Sequence, residues 1–291
     1  FNMPNSDVPA VLLSGGMGAQ ILNNEVHGED DQPTALVRNG SGAAYFGALI
    51  QGNNVDQAGS LVDEDLATVG DEGFTNSTIK DNVIQRAYDD GINLAGNSSN
   101  VLVEGNVIQA YDAGGGGNHG IVDVGGSNIT YRNNQVTAHA NATGDALNFA
   151  STNAVIEGNR LDATGAGDAI DASGGASNAK ILNNDILGAG GDGILMNNVA
   201  NSNFEIRGNS FANIGDDGID NFGGGTNHMI ENNTFTNVTD NGILCEGNST
   251  IRGNTLRDIG GEGIFSHTGN CTIENNTIDG VTGGDGIDAW D

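Results

Sequence analysis

Five successive stretches from Lys180 onward say nearly the same thing: KILNNDILGAGGDGILMNN, EIRGNSFANIGDDGIDNFG, MIENNTFTNVTDNGILCEG, TIRGNTLRDIGGEGIFSHTG and TIENNTIDGVTGGDGIDAW. Each reads apolar-x-x-Asn-x-apolar, then a Gly/Asp-rich turn, then a small residue followed by Ile. A period of this size means stacked units, because one unit cannot cover its own apolar face and must bury it against its neighbours. No other feature restricts the fold as tightly.

The asparagines Asn184, Asn209, Asn233, Asn254 and Asn276 lie 25, 24, 21 and 22 residues apart, and no helical run occurs between them. Each turn of chain instead offers three short strands with one inward anchor apiece. The first anchors are Ile181, Ile206, Ile230, Ile251 and Ile273, and the second are Ile186, Phe211, Phe235, Leu256 and Ile278. The third are Ile194, Ile219, Ile243, Ile264 and Ile287. Asn is expected to form the bend between the first two strands, where it tolerates left-handed backbone and bonds its own main chain. Copies one coil apart can then stack as an amide ladder. The pattern resembles the right-handed parallel β-helix of the pectin-lyase-like superfamily. That resemblance implies an all-β solenoid of about eleven coils of three short strands with an internal Asn ladder, roughly 50 Å long at the strand spacing.

Composition agrees. With 48 Gly, 3 Pro and 36% hydrophobic residues in 291, the chain can build one large core, and the repeats merge residues 1–291 into a single domain. The formal charge of -29, from 38 acids against 9 bases, excludes a nucleic-acid binder and disfavours an anionic membrane surface. It suits a saline or calcium-containing medium in which screening offsets self-repulsion. No apolar run approaches the ~20 residues of a membrane span, and no secretory hydrophobic segment is present. The chain opens on Phe1 rather than Met, which points to a removed leader or a longer precursor. Cys245 and Cys271 fit no metal motif; a disulfide and two idle thiols both stay open.

Residues 1–75 are less regular than 76–291. Val11 to Leu13 reads as a lone third strand, Ile21 to Val26 opens the first whole coil, and Asn53 marks the second, with extra residues in Asp56 to Phe74. From Ile79 the register is firm through Asn82, Asn106, Asn134 and Asn159, apart from the insert Gly114 to Gly117. The chain begins and ends in a third strand, with no amphipathic helix at either end, so the expectation is axial self-association into filaments. Caps elsewhere in a longer chain, or residues 1–17 folded over the end, are the alternative.

Function would be written on the outward positions. Lys80, Glu104, Arg132, Glu157, Leu182, Arg207, Glu231, Arg252 and Glu274 precede the ladder Asn by two residues and present mostly opposite charges from coil to coil, a structural surface ladder. A second column precedes the small residue of the third strand: Asp90, His119, Asp145, Asp168, Asp192, Asp217, Asn241, Glu262 and Asp285. Its adjacent acids repel by ~0.9 kcal/mol per pair even in water. Calcium is one compensation, with Asp168, Asp192, Asp216, Asp217, Asp220, Asp285 and Asp288 as oxygen ligands. Hydrogen bonds to local turn amides, with the carboxylates left solvated, are the other.

The column is broken by a histidine. Tyr88-Asp89-Asp90-Gly91 is followed by Tyr111-Asp112, the glycine insert and Asn118-His119-Gly120, then by Asp145. Paired carboxylates beside His-Gly resemble the polygalacturonase family, which implies Asp89, Asp90 and His119 as hydrolase residues. The grouping is also similar to the mannuronan epimerases, which implies Tyr111, Asp112, His119 and Asp145 for proton exchange at carbon five. The hydrolase Arg-x-Lys and the compact epimerase Asp-Pro-His-Glu are absent, and Arg86 is the one nearby base outside the charge ladder. His27, His139, His228 and His267 are scattered, which supports no zinc site.

Three roles follow. The first is an extracellular or cell-surface structural solenoid, assembling end to end into filaments or a surface layer. The second is a hydrolase, lyase or C5-epimerase of acidic polysaccharide with its groove at coils three to five. The third is a carbohydrate-binding adhesin or tail-fibre-like module, motivated by outward positions such as Tyr111 and Phe149. Partners are therefore self or polysaccharide, with neither nucleic acid nor membrane insertion.

Overall fold

The computed structural model describes residues 10–290 except 14–15, 29–34, 40–44, 59, 64–72, 95, 173, 199 and 224. The core of the expected insert, 64–72, therefore lies outside the described residues, as do positions 1–9. All regular structure among the described residues is β, in three long parallel sheets. The first sheet stacks eleven strands from Gln20–Leu22 to Thr272–Glu274. The second stacks eleven from Glu25–His27 to Thr277–Val281, and the third twelve from Val11–Leu13 to Ile287–Ala289. The lone opening third strand pairs with Val37–Asn39, as its sequence implied. A three-stranded ribbon (Gly16–Met17, Tyr45–Phe46, Phe74–Thr75) adds a fourth edge, continued by single bridges through Ser99, Ser127 and Thr152.

Registers are straight: Ile156, Ile181, Ile206, Ile230 and Ile251 pair in sequence, and so do Ile170, Ile194, Ile219, Ile243 and Ile264. All are fully buried. Phe211 and Phe235 stack with centroids 4.4 Å apart, filling the interior beneath the third strand. That explains the small residue before each third-strand Ile. A Cβ on Gly218 would stand 2.3 Å from the Gly242 carbonyl oxygen and 2.7 Å from Phe235.

The Asn ladder forms, with its chemistry shifted from the expectation. Asn184 Oδ1 accepts from both the backbone N–H and the Nδ2–H of Asn159, while its own Nδ2 donates to Asn209 Oδ1 and to the Ile156 carbonyl, all at 2.9 Å. The same pattern runs from Asn24 to Asn276. An amide has two donor hydrogens and two acceptor lone pairs, so every valence is used. The left-handed residue is the one before each ladder Asn, alternately Asn or Asp and Gly: Asn183 at φ 53°, Gly208 at 69°, Asn232 at 53°, Gly253 at 66°. Alternation has a steric cause, because a Cβ on Gly208 would lie 2.5 Å from Asn183 Oδ1.

Cys245, in the third-sheet strand Ile243–Glu246, and Cys271, just before the first-sheet strand Thr272–Glu274, form a disulfide, which resolves the choice between pairing and idle thiols. On the first sheet Arg132 pairs with Glu104 and Arg252 Nη2 stands 2.7 Å from Glu231 Oε1, as the charge pattern implied. Glu205 is reached by Lys180 from the neighbouring coil and by Arg207 from its own strand.

Candidate functional site

The acid column lies at the turn into the third sheet, and its side chains point along the rod. Asp90 Oδ1 accepts the backbone N–H of His119, and the link repeats through Asp145, Asp168, Asp192, Asp217, Asn241 and Glu262 with contacts of 2.6 to 3.0 Å. The amides therefore belong to the next coil rather than to the local turn. Nor are the carboxylates fully solvated: Asp145, Asp192 and Asp217 are only 7 to 8% exposed. Asp, Asn and His share the position because each can offer an acceptor one atom beyond Cγ.

Burial without counter-ions shifts their protonation. Desolvation, joined by the charges of Asp145, Asp171 and Asp220, pushes Asp168 up to about 7. Desolvation and the Asp168 charge push Asp192 up to about 9, and desolvation with Asp220 and Asp240 raises Asp217 to about 7. At His119 the pattern inverts. Burial alone would lower the imidazole, but the bond and charge of Asp145, helped by Asp90 and Asp171, raise it. Asp145 is correspondingly held below the usual carboxylate range, His119 outweighing its burial. His119 Nδ1 lies 3.0 Å from the Asp145 N–H and 3.2 Å from Asp145 Oδ2. It serves one of these at a time, accepting from the amide when neutral and donating to the carboxylate when protonated.

Not all the expected catalytic residues gather here. Asp90, His119 and Asp145 are consecutive in the column, with Asp89 half-buried beside Asp90. Tyr111 and Asp112 are built into the wall. Tyr111 is fully buried, its hydroxyl donates to the Gly144 carbonyl at 3.0 Å, and desolvation raises its pKa far beyond use as a base. Asp112 accepts from the amides of Gly116, Gly117 and Thr143, so it holds the glycine insert in place. Phe149 is also fully buried, which removes both aromatics expected on the surface.

The calcium candidates disperse as well. Asp168 and Asp192 are links of the column, Asp220 accepts from Phe222 N–H, Asp285 is exposed, and Asp288 accepts from Trp290. Among the described residues one group brings ligand atoms within 4.8 Å of one another: Asp216, Asp217 and Asp240. Asp240 was not marked by sequence, since it sits one position outside the column.

Beside the column runs the outward file of the third sheet: Asn93, Val122, Asn148, Asp171, Leu195, Asp220, Leu244, Phe265. It is recessed, with Val122 at 6%, Asp171 at 7% and Leu244 at 8% exposure. Asn148 bridges file and column, donating to Asp145 Oδ2 at 3.1 Å and Asp171 Oδ2 at 2.8 Å. Toward the C-terminal coils the face turns aromatic. His267 packs 5.2 Å from Phe222, 5.7 Å from Phe265 and 6.3 Å from Trp290, with Phe222 and Trp290 more than half exposed. Sequence reasoning missed this cluster, although Phe222, Glu246, His267 and Trp290 each follow an inward Ile by three residues.

A family model described as "Right handed beta helix region" matches residues 5–161 and 145–291. No curated protein sequence matches the chain. Among solved structures, the A-module of the mannuronan C-5 epimerase AlgE4 from Azotobacter vinelandii aligns over 100% of this chain and 87% of its own, at TM-score 0.64 and 16% identity. The Streptococcus pneumoniae surface protein and adhesin PfbA aligns over 99% and 91%, at TM-score 0.68 and 16% identity. An alginate lyase from Paenibacillus aligns over 95% and 99%, at TM-score 0.54 and 10% identity. At such identities the likeness is one of fold.

Proposed function

The chain belongs to the right-handed beta helix family, and we propose that it is a polysaccharide-binding rod whose contact surface is the outer face of the third sheet. The observation that carries this reading is the composition of that recessed face. It sets amides and carboxylates beside apolar and aromatic side chains along one line, which suits the hydroxyl rim and carbon face of a sugar. The first sheet differs, since its outward charges pair with each other. Neighbours of this fold support the substrate class: one is a mannuronan epimerase, one an alginate lyase and one a surface adhesin. A disulfide fits an extracellular or cell-surface location, where oxidised thiols persist.

A catalytic reading has one specific observation behind it, the reciprocal shifts of His119 and Asp145. In that reading protonated His119 is the proton donor to a sugar oxygen, Asp145 holds its charge, and Asp90 anchors its backbone. Tyr111 and Asp112 take no part. Calcium, if used, enters at Asp216, Asp217 and Asp240.

The test is binding of purified chain to a panel of neutral, anionic and cationic oligosaccharides by calorimetry. Micromolar to millimolar affinity, lost when Phe265 becomes Ala, is the expected result; no affinity for any glycan removes the proposal. Loss of turnover with retained binding in His119→Ala separates the enzyme from the binder. Electron microscopy decides end-to-end assembly: long filaments favour the structural role, and uniform short rods favour glycan contact alone.

A further inference from the structure

The aromatic end of the third-sheet face is more specific than the rest. We propose that the platform of Phe222, Phe265, His267 and Trp290, centred on Glu246, is a subsite for polymers of protonated amino sugars. This rests on the polysaccharide-binding reading and narrows it to one charge class.

Three observations point the same way. The rings are contiguous: beyond the His267 contacts, Phe265 meets Trp290 edge to face at 5.9 Å. Exposed aromatic faces attract cations through the ring quadrupole, Trp most strongly, and stack on sugar rings. The platform is also preorganised. Glu246 Oε2 accepts the Gly223 N–H and Glu246 Oε1 meets His267 Nδ1, both at 2.7 Å, so one carboxylate fixes the turn carrying Phe222 and the ring of His267. Trp290 Nε1 donates to Asp288 Oδ2 at 2.9 Å, and the Cys245–Cys271 disulfide ties the two turns beneath. Side chains already held in place lose little entropy on binding.

The third observation is charge. Beyond Gly208 the sequence has no Lys and two Arg, Arg252 and Arg257, beside two histidines, His228 and the His267 that already faces Glu246. Arg252 belongs to the first sheet and pairs with Glu231, while Arg257 lies on the second sheet. The platform is ringed instead by Asp220, Glu246 and Asp288. A uronate polymer, which needs cationic partners, is repelled there, and a neutral glycan would leave the excess negative charge of these hydrogen-bonded carboxylates unanswered. An ammonium on each sugar uses both rings and carboxylates.

Short glucosamine oligomers, their N-acetylated counterparts and alginate oligomers, titrated into the purified chain in mildly acidic low-salt buffer, test the idea. The expected result is at least tenfold tighter binding of the amine form, weakening with salt, and at least a tenfold loss in Phe265→Ala and in Trp290→Ala at unchanged melting temperature. Because the chain carries -29, bulk attraction must be separated. Lysine oligomers are expected to bind wild type and both ring variants alike, whereas glucosamine oligomers distinguish them. Equal, salt-insensitive binding of amine and N-acetyl forms overturns the charge class and leaves the glycan reading standing. Glucosamine binding untouched in both ring variants overturns the platform. Absence of binding to every glycan overturns this inference together with the reading beneath it.

Discussion

Two columns run along the rod with one polar side chain per coil in each, and they solve the same problem with different outcomes. The Asn ladder and the acid column both offer an oxygen to the backbone N–H of an adjacent coil, the preceding coil in the ladder and the following coil in the acid column. Asparagine also donates onward to the following coil, so its bonds close and no charge accumulates. A carboxylate only accepts, so each link adds an anion with no donor to answer it. The first column is finished structure. The second is left with charge to compensate, which is why the raised carboxyl pKa values of Asp168, Asp192 and Asp217 lie on one side of the molecule.

Removing a link from the closed column should cost most. Asn184→Ala leaves the backbone and side-chain N–H groups of Asn159 unpaired in the interior, together with the Ile156 carbonyl. Each orphaned buried group costs about 1–3 kcal/mol, and the variant is expected to lose about 3–5 kcal/mol in urea unfolding. Asn184→Asp should lose a comparable amount, since an acceptor would then face Asn209 Oδ1. A loss below 1 kcal/mol would erase the distinction between the columns.

The open column should respond in the opposite direction. Asp192 is raised from the ordinary 3.8 to about 9, so its folded form keeps a proton that the unfolded chain has released. Stability from this group is fully present below pH 4 and is lost as pH rises through 9, with Asp168 and Asp217 adding losses up to about 7. Asp192→Asn keeps the acceptor without the titration. At pH 8 it is expected to gain about 1–3 kcal/mol after allowance for relaxation around the charge, and near pH 4 to gain nothing. Asn241 already occupies one link, donating from Nδ2 to Asp217 Oδ1 at 2.9 Å. A pH-independent gain would show that packing rather than ionisation sets the difference.

Both columns were legible in the sequence because a strict period places like residues above one another whatever their local bonds. The fold, the three anchors and the identity of the acid column follow from that alone. What a period leaves open is direction. Tyr111 reads as outward by strict alternation from Ile108, but a register shift between them turns it into the core. The same three-residue step separates Phe211 from Ile214 and Phe235 from Val238, with Asn213 and Asn237 left-handed between them. Phe149, two residues after inward Leu147, obeys simple parity and was legible as buried. The aromatic platform was hidden because Phe222, Glu246, His267 and Trp290 differ in chemistry at one repeat position.

Calcium offers a milder perturbation of the open column. If it enters at Asp216, Asp217 and Asp240, added calcium raises Tm above pH 7 and a chelator reverses it. At ten times its dissociation constant the gain is about 1.4 kcal/mol, and Asp240→Asn abolishes it. A Tm indifferent to both leaves protons as the sole compensation.

The smallest effect should come from the first-sheet surface, where charges are already answered. Lys180 lies 3.3 Å from Glu205 and Arg207 3.1 Å from it, with Lys180 more than half exposed. Screening by water and the entropy of holding a long side chain consume most of such an attraction, so exposed pairs yield about 0.2–1 kcal/mol. Lys180→Ala is therefore expected to cost less than about 0.5 kcal/mol, because Arg207 still partners Glu205, and the cost should vanish in high salt. Asp192→Asn should keep its gain in the same salt, since a buried proton equilibrium is screened far less than a surface pair. Parallel urea titrations of the two variants at low and high salt give the answer. If the Lys180 effect persisted while the Asp192 effect faded, the charge that matters would lie on the first sheet and the functional face would have to move with it.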